Sequence, residues 1–94
     1  MGAEKKVEQS IVRWVKSKGG VAYKFSSPGN RGVPDRIVIF DGGRIAFLEV
    51  KSATGKPSKL QLKKIQGLRN FGFIAAVVSS LDEAKTLLEP LVEK

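Results

Sequence analysis

The chain contains no cysteine and no histidine among its 94 residues. Their absence excludes disulfides, thiolate nucleophiles, zinc sites built on these residues, and Ser-His-Asp triads. Any chemistry must therefore use carboxylates, lysine, hydroxyl or amide groups, and cations bound through oxygen, such as Mg²⁺.

Long apolar runs are also missing. No run approaches the roughly 18–20 residues of a membrane-spanning helix, and the N-terminal sequence MGAEKKVEQ lacks the apolar core of a signal peptide. The sequence therefore predicts a cytoplasmic protein with no membrane partner. At this length we expect one domain over 1–94 with a single small core.

Acidic residues are scarce relative to basic ones, with 9 Asp+Glu against 17 Lys+Arg and a net charge of +8. Residues 1–70 hold 15 of the basic and 5 of the acidic side chains, so the last quarter of the chain is expected to face away from any polyanion. This imbalance favours a nucleic-acid partner, although a merely lysine-rich solvated surface has the same composition.

Hydrophobic periodicity predicts the order αβββαβα, a mixed α/β fold. The predicted helices cover 4–18 and 58–70, with a last one after Ser80, and the predicted strands cover 21–26, 35–41, 44–51 and 73–79. The second and third strands form a hairpin, and the fourth should lie parallel to the third because a helix connects them. Ser80 and Glu83 resemble a capping box for the last helix. We expect Trp14, Phe47 and Phe71 in the core.

Three polar residues lie on or beside the hairpin: Asp35, Glu49 and Lys51. Alternation along strand 44–51 places Glu49 and Lys51 on one face of what should be an inner strand. A buried carboxylate costs several kcal/mol unless a cation neutralises it, and either Lys51 or a divalent metal would do so. The alternative is a purely structural Glu49–Lys51 pair at the end of a strand.

The hairpin register decides whether Asp35 joins Glu49. A two-residue turn over 42–43 sends Asp35 to the opposite face. A three-residue connection over 42–44 pairs Asp35 with Lys51 and places both carboxylates on one face. We therefore predict the three-residue connection or an equivalent bulge. The alternative for Asp35 is an ordinary Pro-Asp turn.

Pro34-Asp35 is followed, after 13 residues, by Glu49-Val50-Lys51, which matches the PD-(D/E)xK nuclease motif. With its context, GVPDRIVI…GGRIAFLEVKSATGKPSKLQ, the sequence resembles the virus-type replication-repair nuclease (VRR-NUC) family over most of the chain. The resemblance implies a restriction-endonuclease-like αβββαβ core, here with an extra C-terminal helix, and metal-dependent hydrolysis of phosphodiester bonds.

The same resemblance implies a Mg²⁺ or Mn²⁺ cofactor held by Asp35, Glu49 and the main-chain carbonyl of Val50. Lys51 would position the attacking water or stabilise the charge on the pentacoordinate phosphate. Gln61 corresponds to the glutamine that the family places on the following helix, where it would reach the metal site or its water.

The family also carries a glutamate on its first helix. On a helical wheel Glu8 falls inside the apolar arc of Val7, Ile11 and Val15, which predicts that it points inward. The resemblance implies that this glutamate, Glu8, is a metal ligand. Glu4 lies on the same side, one turn nearer the helix end, and is the alternative. A first-turn glutamate that only interacts with the helix dipole is a third interpretation.

The resemblance further implies branched DNA, such as a four-way junction, as the substrate, a homodimer as the active form, and a phage or prophage origin. Candidate phosphate contacts near the motif are Arg31, Lys56, Ser58, Lys59 and Lys63. Two alternatives are a non-catalytic nucleic-acid-binding module and a basic RNA-associated structural protein. The aromatic content of 7% predicts no base-stacking platform for the latter.

Overall fold

The computed structural model describes residues 2–92, which form a four-stranded mixed sheet between helices. The elements are α1 (Ala3–Ser17), β1 (Val21–Lys24), β2 (Arg36–Phe40), β3 (Arg44–Val50), α2 (Lys59–Asn70), β4 (Ile74–Val78) and α3 (Leu81–Leu88), with a 3₁₀ turn at Glu89–Leu91. The strand order is β1-β2-β3-β4, antiparallel except for the parallel pair β3–β4. The predicted element order and the parallel crossover are confirmed.

The two faces of the sheet carry different helices. Ile11 and Val15 of α1 and Leu88 of α3 are fully buried against even-numbered residues of β3, such as Leu48. On the other face, Ile65 of α2 packs among the odd-numbered sheet residues. Because side chains alternate along a strand, Glu49 belongs to the α2 face.

The hairpin has the predicted odd-length connection, but its position and register differ from the prediction. Phe40 pairs with Arg44, so the three connecting residues are 41–43 and not 42–44. Both hairpin glycines, Gly42 and Gly43, have positive φ, 82° and 75°, a backbone conformation that favours glycine. Asp35 therefore does not pair with Lys51. Extending the ladder one residue beyond Arg36↔Leu48 sets Asp35 opposite Glu49.

Three expectations about individual side chains need correction. Phe71 is 83% exposed, not buried, because it follows the last residue of α2 and the chain reverses at Gly72, where φ is 99°. Trp14 is only half-buried, whereas Phe47 lies in the core as expected. Ser80 caps α3 through the Glu83 N–H, but the Glu83 carboxylate accepts from the Ser79 N–H, so the capping box is not reciprocal. Within residues 2–92, no helix is long and apolar enough to cross a membrane.

Candidate active site at the end of the central hairpin

Asp35 is fixed between two strands just before β2 begins. Its main-chain carbonyl accepts a hydrogen bond from the Phe25 N–H at 2.8 Å, and its Oδ2 accepts one from the Val50 N–H at 3.0 Å. The preceding Pro34 is fully buried, which holds this turn against the body of the domain. The carboxylate of Asp35 thus lies at the end of β3, next to the ExK segment.

Glu49 is the only buried charged side chain in the described part of the chain, with 1% of its surface exposed. Its Oε2 lies 3.3 Å from Lys51 Nζ and accepts a hydrogen bond from Gln61 Nε2 at 3.0 Å. Its Oε1 is buried and accepts no hydrogen bond from any described residue. A buried carboxylate oxygen without a partner is unusual in proteins and is consistent with a ligand at this position.

Burial raises the pKa of Glu49 above its ordinary value of 4.5, and the negative charge of Asp35 raises it further. Lys51 acts in the opposite direction and lowers the pKa of Glu49, but the net shift is upward. Two carboxylates facing one ammonium leave a net negative charge when both are ionised. The site therefore favours an additional cation.

The donor set suits a hard divalent ion. Asp35 and Glu49 supply carboxylate oxygens, and the Val50 carbonyl is adjacent in the chain. Mg²⁺ is commonly held by one or two carboxylates, with waters and substrate phosphate completing its shell. No group of three potential ligands among Asp, Glu, His and Cys occurs in residues 2–92, so two carboxylates are what the described structure gathers.

Gln61 is held at both ends of its side-chain amide. Ser58 is the N-cap of α2, and its hydroxyl accepts the Gln61 N–H at 3.1 Å while Gln61 Oε1 accepts the Ser58 N–H at 2.8 Å. This capping box leaves Gln61 Nε2 free to donate to Glu49. The exposed Ser58 hydroxyl accepts the bond from the Gln61 N–H and keeps its own hydrogen to donate, so the predicted phosphate contact of Ser58 stays a prediction. The S-x-x-Q spacing before an apolar helix was the sequence signal for the helix cap.

Comparison with known proteins identifies the family to which the chain belongs. A protein named "Putative nuclease p44", from Acyrthosiphon pisum secondary endosymbiont phage 1, is 42% identical over 84 residues, which cover 89% of this chain and 90% of that protein. A solved structure described as "VRR_NUC domain" is 32% identical, has a TM-score of 0.86, and matches over 95% of this chain and 97% of its own.

The chain belongs to the VRR-NUC family. A further solved structure, described as "VRR_NUC domain protein", shares 19% identity and a TM-score of 0.70 over 92% of this chain and 84% of that one, which shows the common fold. No family model matches the chain.

The first-helix glutamate of this VRR-NUC chain does not reach the two carboxylates. Glu8 Oε2 accepts a hydrogen bond from Arg36 Nε at 2.7 Å, and Arg36 Nη1 also donates to the Ala22 carbonyl at 3.1 Å. Arg36 alternates with Asp35 and so belongs to the α1 face of the sheet, opposite Glu49.

Glu4 is exposed in the first turn of α1. The role of Glu8 as a metal ligand stays a prediction. Arg36 was not anticipated as its partner, although its position directly after Asp35 indicated the opposite face.

The remaining phosphate-contact candidates of the VRR-NUC chain lie at the surface. Arg31, Lys56, Lys59 and Lys63 are exposed. Lys63 and Lys59 lie on α2, and Lys56 lies in the loop that leads from Lys51 to this helix. The exposure of these basic side chains agrees with a role in binding a polyanion, which stays a prediction.

Proposed function

We propose that this protein is a metal-dependent endonuclease that hydrolyses phosphodiester bonds in DNA. The observation that carries the proposal is the buried Glu49 carboxylate, whose Oε1 has no hydrogen-bond partner among the described residues, beside Asp35 and Lys51. A structural Glu49–Lys51 pair alone leaves that oxygen unsatisfied, whereas a bound cation satisfies it.

Asp35, Glu49 and the Val50 carbonyl would hold Mg²⁺ or Mn²⁺. When bound, such an ion lowers the pKa of a coordinated water and stabilises charge on the phosphate. The Lys51 ammonium, 3.3 Å from Glu49 Oε2, can hold the attacking water or stabilise the additional negative charge of the pentacoordinate phosphate. Gln61 keeps the Glu49 carboxylate in one orientation, so the protein meets its substrate with the site already ordered.

Charge and family membership support the proposed substrate class. A net charge of +8 favours a polyanion, and the exposed basic residues beside the site would bind phosphates of flanking nucleotides. We propose branched DNA, such as a four-way junction, as the preferred substrate and a homodimer as the active form, since two copies present two sites to the arms of one junction. The phage relative supports a phage-encoded protein that acts inside a bacterial host.

The deciding experiment compares the wild type with Lys51→Ala on labelled four-way junctions, flaps and linear duplex, each with Mg²⁺, Mn²⁺ or EDTA. Lys18→Ala is the matched control, because it removes the same charge from the exposed end of α1. We expect metal-dependent nicking by the wild type and by Lys18→Ala, with a loss of about 10²–10³-fold in Lys51→Ala. Equal nicking by Lys51→Ala, or nicking in EDTA, contradicts the proposal. Binding without nicking favours a non-catalytic module.

A further inference from the structure

An open groove of about 390 Å³ runs along one side of α2. Its lining includes Phe25, Leu60, Lys63, Lys64, Leu68 and Phe71. None of its lining residues is acidic, and two are lysines. An occupant should therefore combine an apolar surface with negative charge.

Phe71 is the most exposed large apolar side chain in the described part of the chain, at 83%, and Leu60 beside the groove is 40% exposed. Phe25 also lines the groove, and the centroid of its ring lies 5.5 Å from that of the buried Phe47 ring, which holds Phe25 in place. The sequence predicted Phe71 in the core and no aromatic platform. Because Phe71 is exposed, its ring supplies such a platform. Unpaired bases stack on solvent-facing aromatic rings that have basic side chains beside them.

Gly67 adds a second, independent observation. It lies inside α2, where glycine costs roughly 1 kcal/mol relative to alanine, yet a Cβ at this position would have no atom within 4 Å. Packing within the described residues therefore does not require glycine here. What the missing side chain does provide is depth in the groove, whose lining includes Gly67.

The groove and the proposed active site share the first turn of α2. Leu60 lines the groove, and the next residue, Gln61, donates from its side-chain amide to Glu49 Oε2. Phe71 lies ten positions beyond Gln61, about 15 Å farther along the helix axis. A strand bound at the carboxylates could thus extend along α2 toward the exposed ring.

We propose that this groove binds an unpaired nucleotide of the nucleic-acid strand that leaves the active site, with its base against Phe71 and its phosphates near Lys63 and Lys64. The inference rests on the proposed nuclease function and adds a means by which the protein could distinguish DNA with unpaired bases from fully paired duplex. A fully paired duplex offers no free base face, whereas a flap or an opened junction does. The groove would therefore favour branched DNA with unpaired bases.

The test measures binding in EDTA, so that no cleavage is needed. Probes are a fluorescein-labelled flapped duplex with 2-aminopurine in the flap, and a fully paired duplex of the same length. Phe71→Ser removes the ring, and Gly67→Leu fills the groove with a better helix former. Leu62→Ser is the matched control, since Leu62 is 49% exposed on α2 but does not line the groove.

We expect Phe71→Ser and Gly67→Leu to bind the flapped probe about tenfold more weakly and to lose the 2-aminopurine quenching. Their affinity for paired duplex should stay within about twofold of the wild type, as should both affinities of Leu62→Ser. Melting temperatures no lower than that of the wild type would exclude unfolding as the cause, and for Gly67→Leu we expect an increase.

Wild-type affinity of Phe71→Ser and Gly67→Leu for the flapped probe overturns the inference. A change from dimer to monomer in Phe71→Ser by light scattering, with flap binding retained, also overturns it, because the groove would then hold a second copy of the chain. Phe71-dependent flap binding without any cleavage would contradict only the nuclease function. Metal-dependent cleavage without Phe71 dependence would contradict only the groove.

Discussion

Gln61 donates from its side-chain Nε2 to Glu49 Oε2 across 3.0 Å, while its Oε1 accepts the Ser58 N–H at 2.8 Å. One amide thus joins the first turn of α2 to the buried carboxylate on β3. Because both ends of the amide are engaged, the orientation of Glu49 is set before any ligand arrives. Hydrogen bonds of this kind, behind the ligand atoms, tune metal affinity.

The first prediction concerns this amide. Gln61→Ala should weaken Mn²⁺ binding by about 10–100-fold, because Glu49 loses the donor that orients it. Isothermal titration calorimetry measures the affinity directly and independently of activity. Gln66→Ala is the matched control, since the Gln66 amide donates only to the exposed Asn70 on the same helix. Equal Mn²⁺ affinities for Gln61→Ala and Gln66→Ala would show that the contact does not support the metal site.

Sequence periodicity could predict the order of the elements and which residues share a face, but not the exact register. Alternation assigns Glu49 to one face whatever its partner, so an odd-length hairpin was sufficient to bring Asp35 to the same face. The register itself depends on which residues of Asp41-Gly42-Gly43 adopt left-handed backbone, and the two glycines allow several choices. The predicted pairing of Asp35 with Lys51 was therefore wrong, although the prediction that Asp35 and Glu49 lie on one face was correct.

Other features of the site depend on tertiary packing that a helical wheel does not contain. Glu8 lies at an inward-facing position of α1, yet the sheet face that it meets carries Arg36 and not the carboxylates. Phe71 continues the apolar stripe of α2, but it is the C-cap after the last helical residue and is exposed to solvent. A wheel gives direction around an axis and says nothing of where the neighbouring surface stops.

The second prediction is a pH dependence of stability in the metal-free protein. Because burial and Asp35 raise the pKa of Glu49 in the folded state above 4.5, the folded chain keeps this proton to higher pH than the unfolded chain. The contribution to the free energy of unfolding is therefore fully present below about pH 4.5 and is lost as pH rises through the folded pKa. Glu49→Gln removes this loss and should be more stable than the wild type at neutral pH.

Calorimetric melting temperatures in EDTA, from about pH 4 to about pH 8, test this expectation. The difference between Glu49→Gln and the wild type should grow as pH rises, and Mg²⁺ should reduce it, since a bound cation favours the ionised carboxylate. A constant difference across the range would show that Glu49 does not titrate as its burial indicates. Asp41→Asn is the control, because Asp41 is an exposed carboxylate in the hairpin connection.

The third prediction separates two roles of Glu8. Its ion pair with Arg36 is largely shielded, with side-chain exposures of 17% and 15%, so a cycle of Glu8→Gln and Arg36→Met should give a coupling free energy of about 1–3 kcal/mol. Urea denaturation measures each free energy of unfolding. A metal-ligand role would give weaker Mn²⁺ binding in Glu8→Gln than in Glu4→Gln, whereas the position of Glu8 against Arg36, on the face opposite Glu49, predicts no change in either variant. Unchanged Mn²⁺ affinity in Glu8→Gln would contradict the ligand role without affecting the ion pair.

The fourth prediction concerns the loop that packs on the first turn of α2. Gly32 has φ of +86°, and a Cβ there would lie 2.8 Å from Leu60 Cγ and 3.2 Å from the Leu60 main chain. Gly29 has a similar φ of +81° but nothing within 4 Å of the same position. Alanine at either site carries backbone strain of about 1–2 kcal/mol. Only Gly32→Ala also forces the loop away from Leu60, at a further cost of about 1–3 kcal/mol.

Urea denaturation of Gly32→Ala and Gly29→Ala isolates this contact, because the strain is common to both and cancels in the difference. We expect Gly32→Ala to be the less stable by the cost of displacing Leu60. Leu60 adjoins Gln61, so the same displacement should weaken Mn²⁺ binding in Gly32→Ala and leave Gly29→Ala unchanged. Equal losses of stability in the two variants would show that the loop accommodates a Cβ at Gly32 without cost. In that case the contact between Gly32 and Leu60 would not help to position Gln61, and only the capping box with Ser58 would do so.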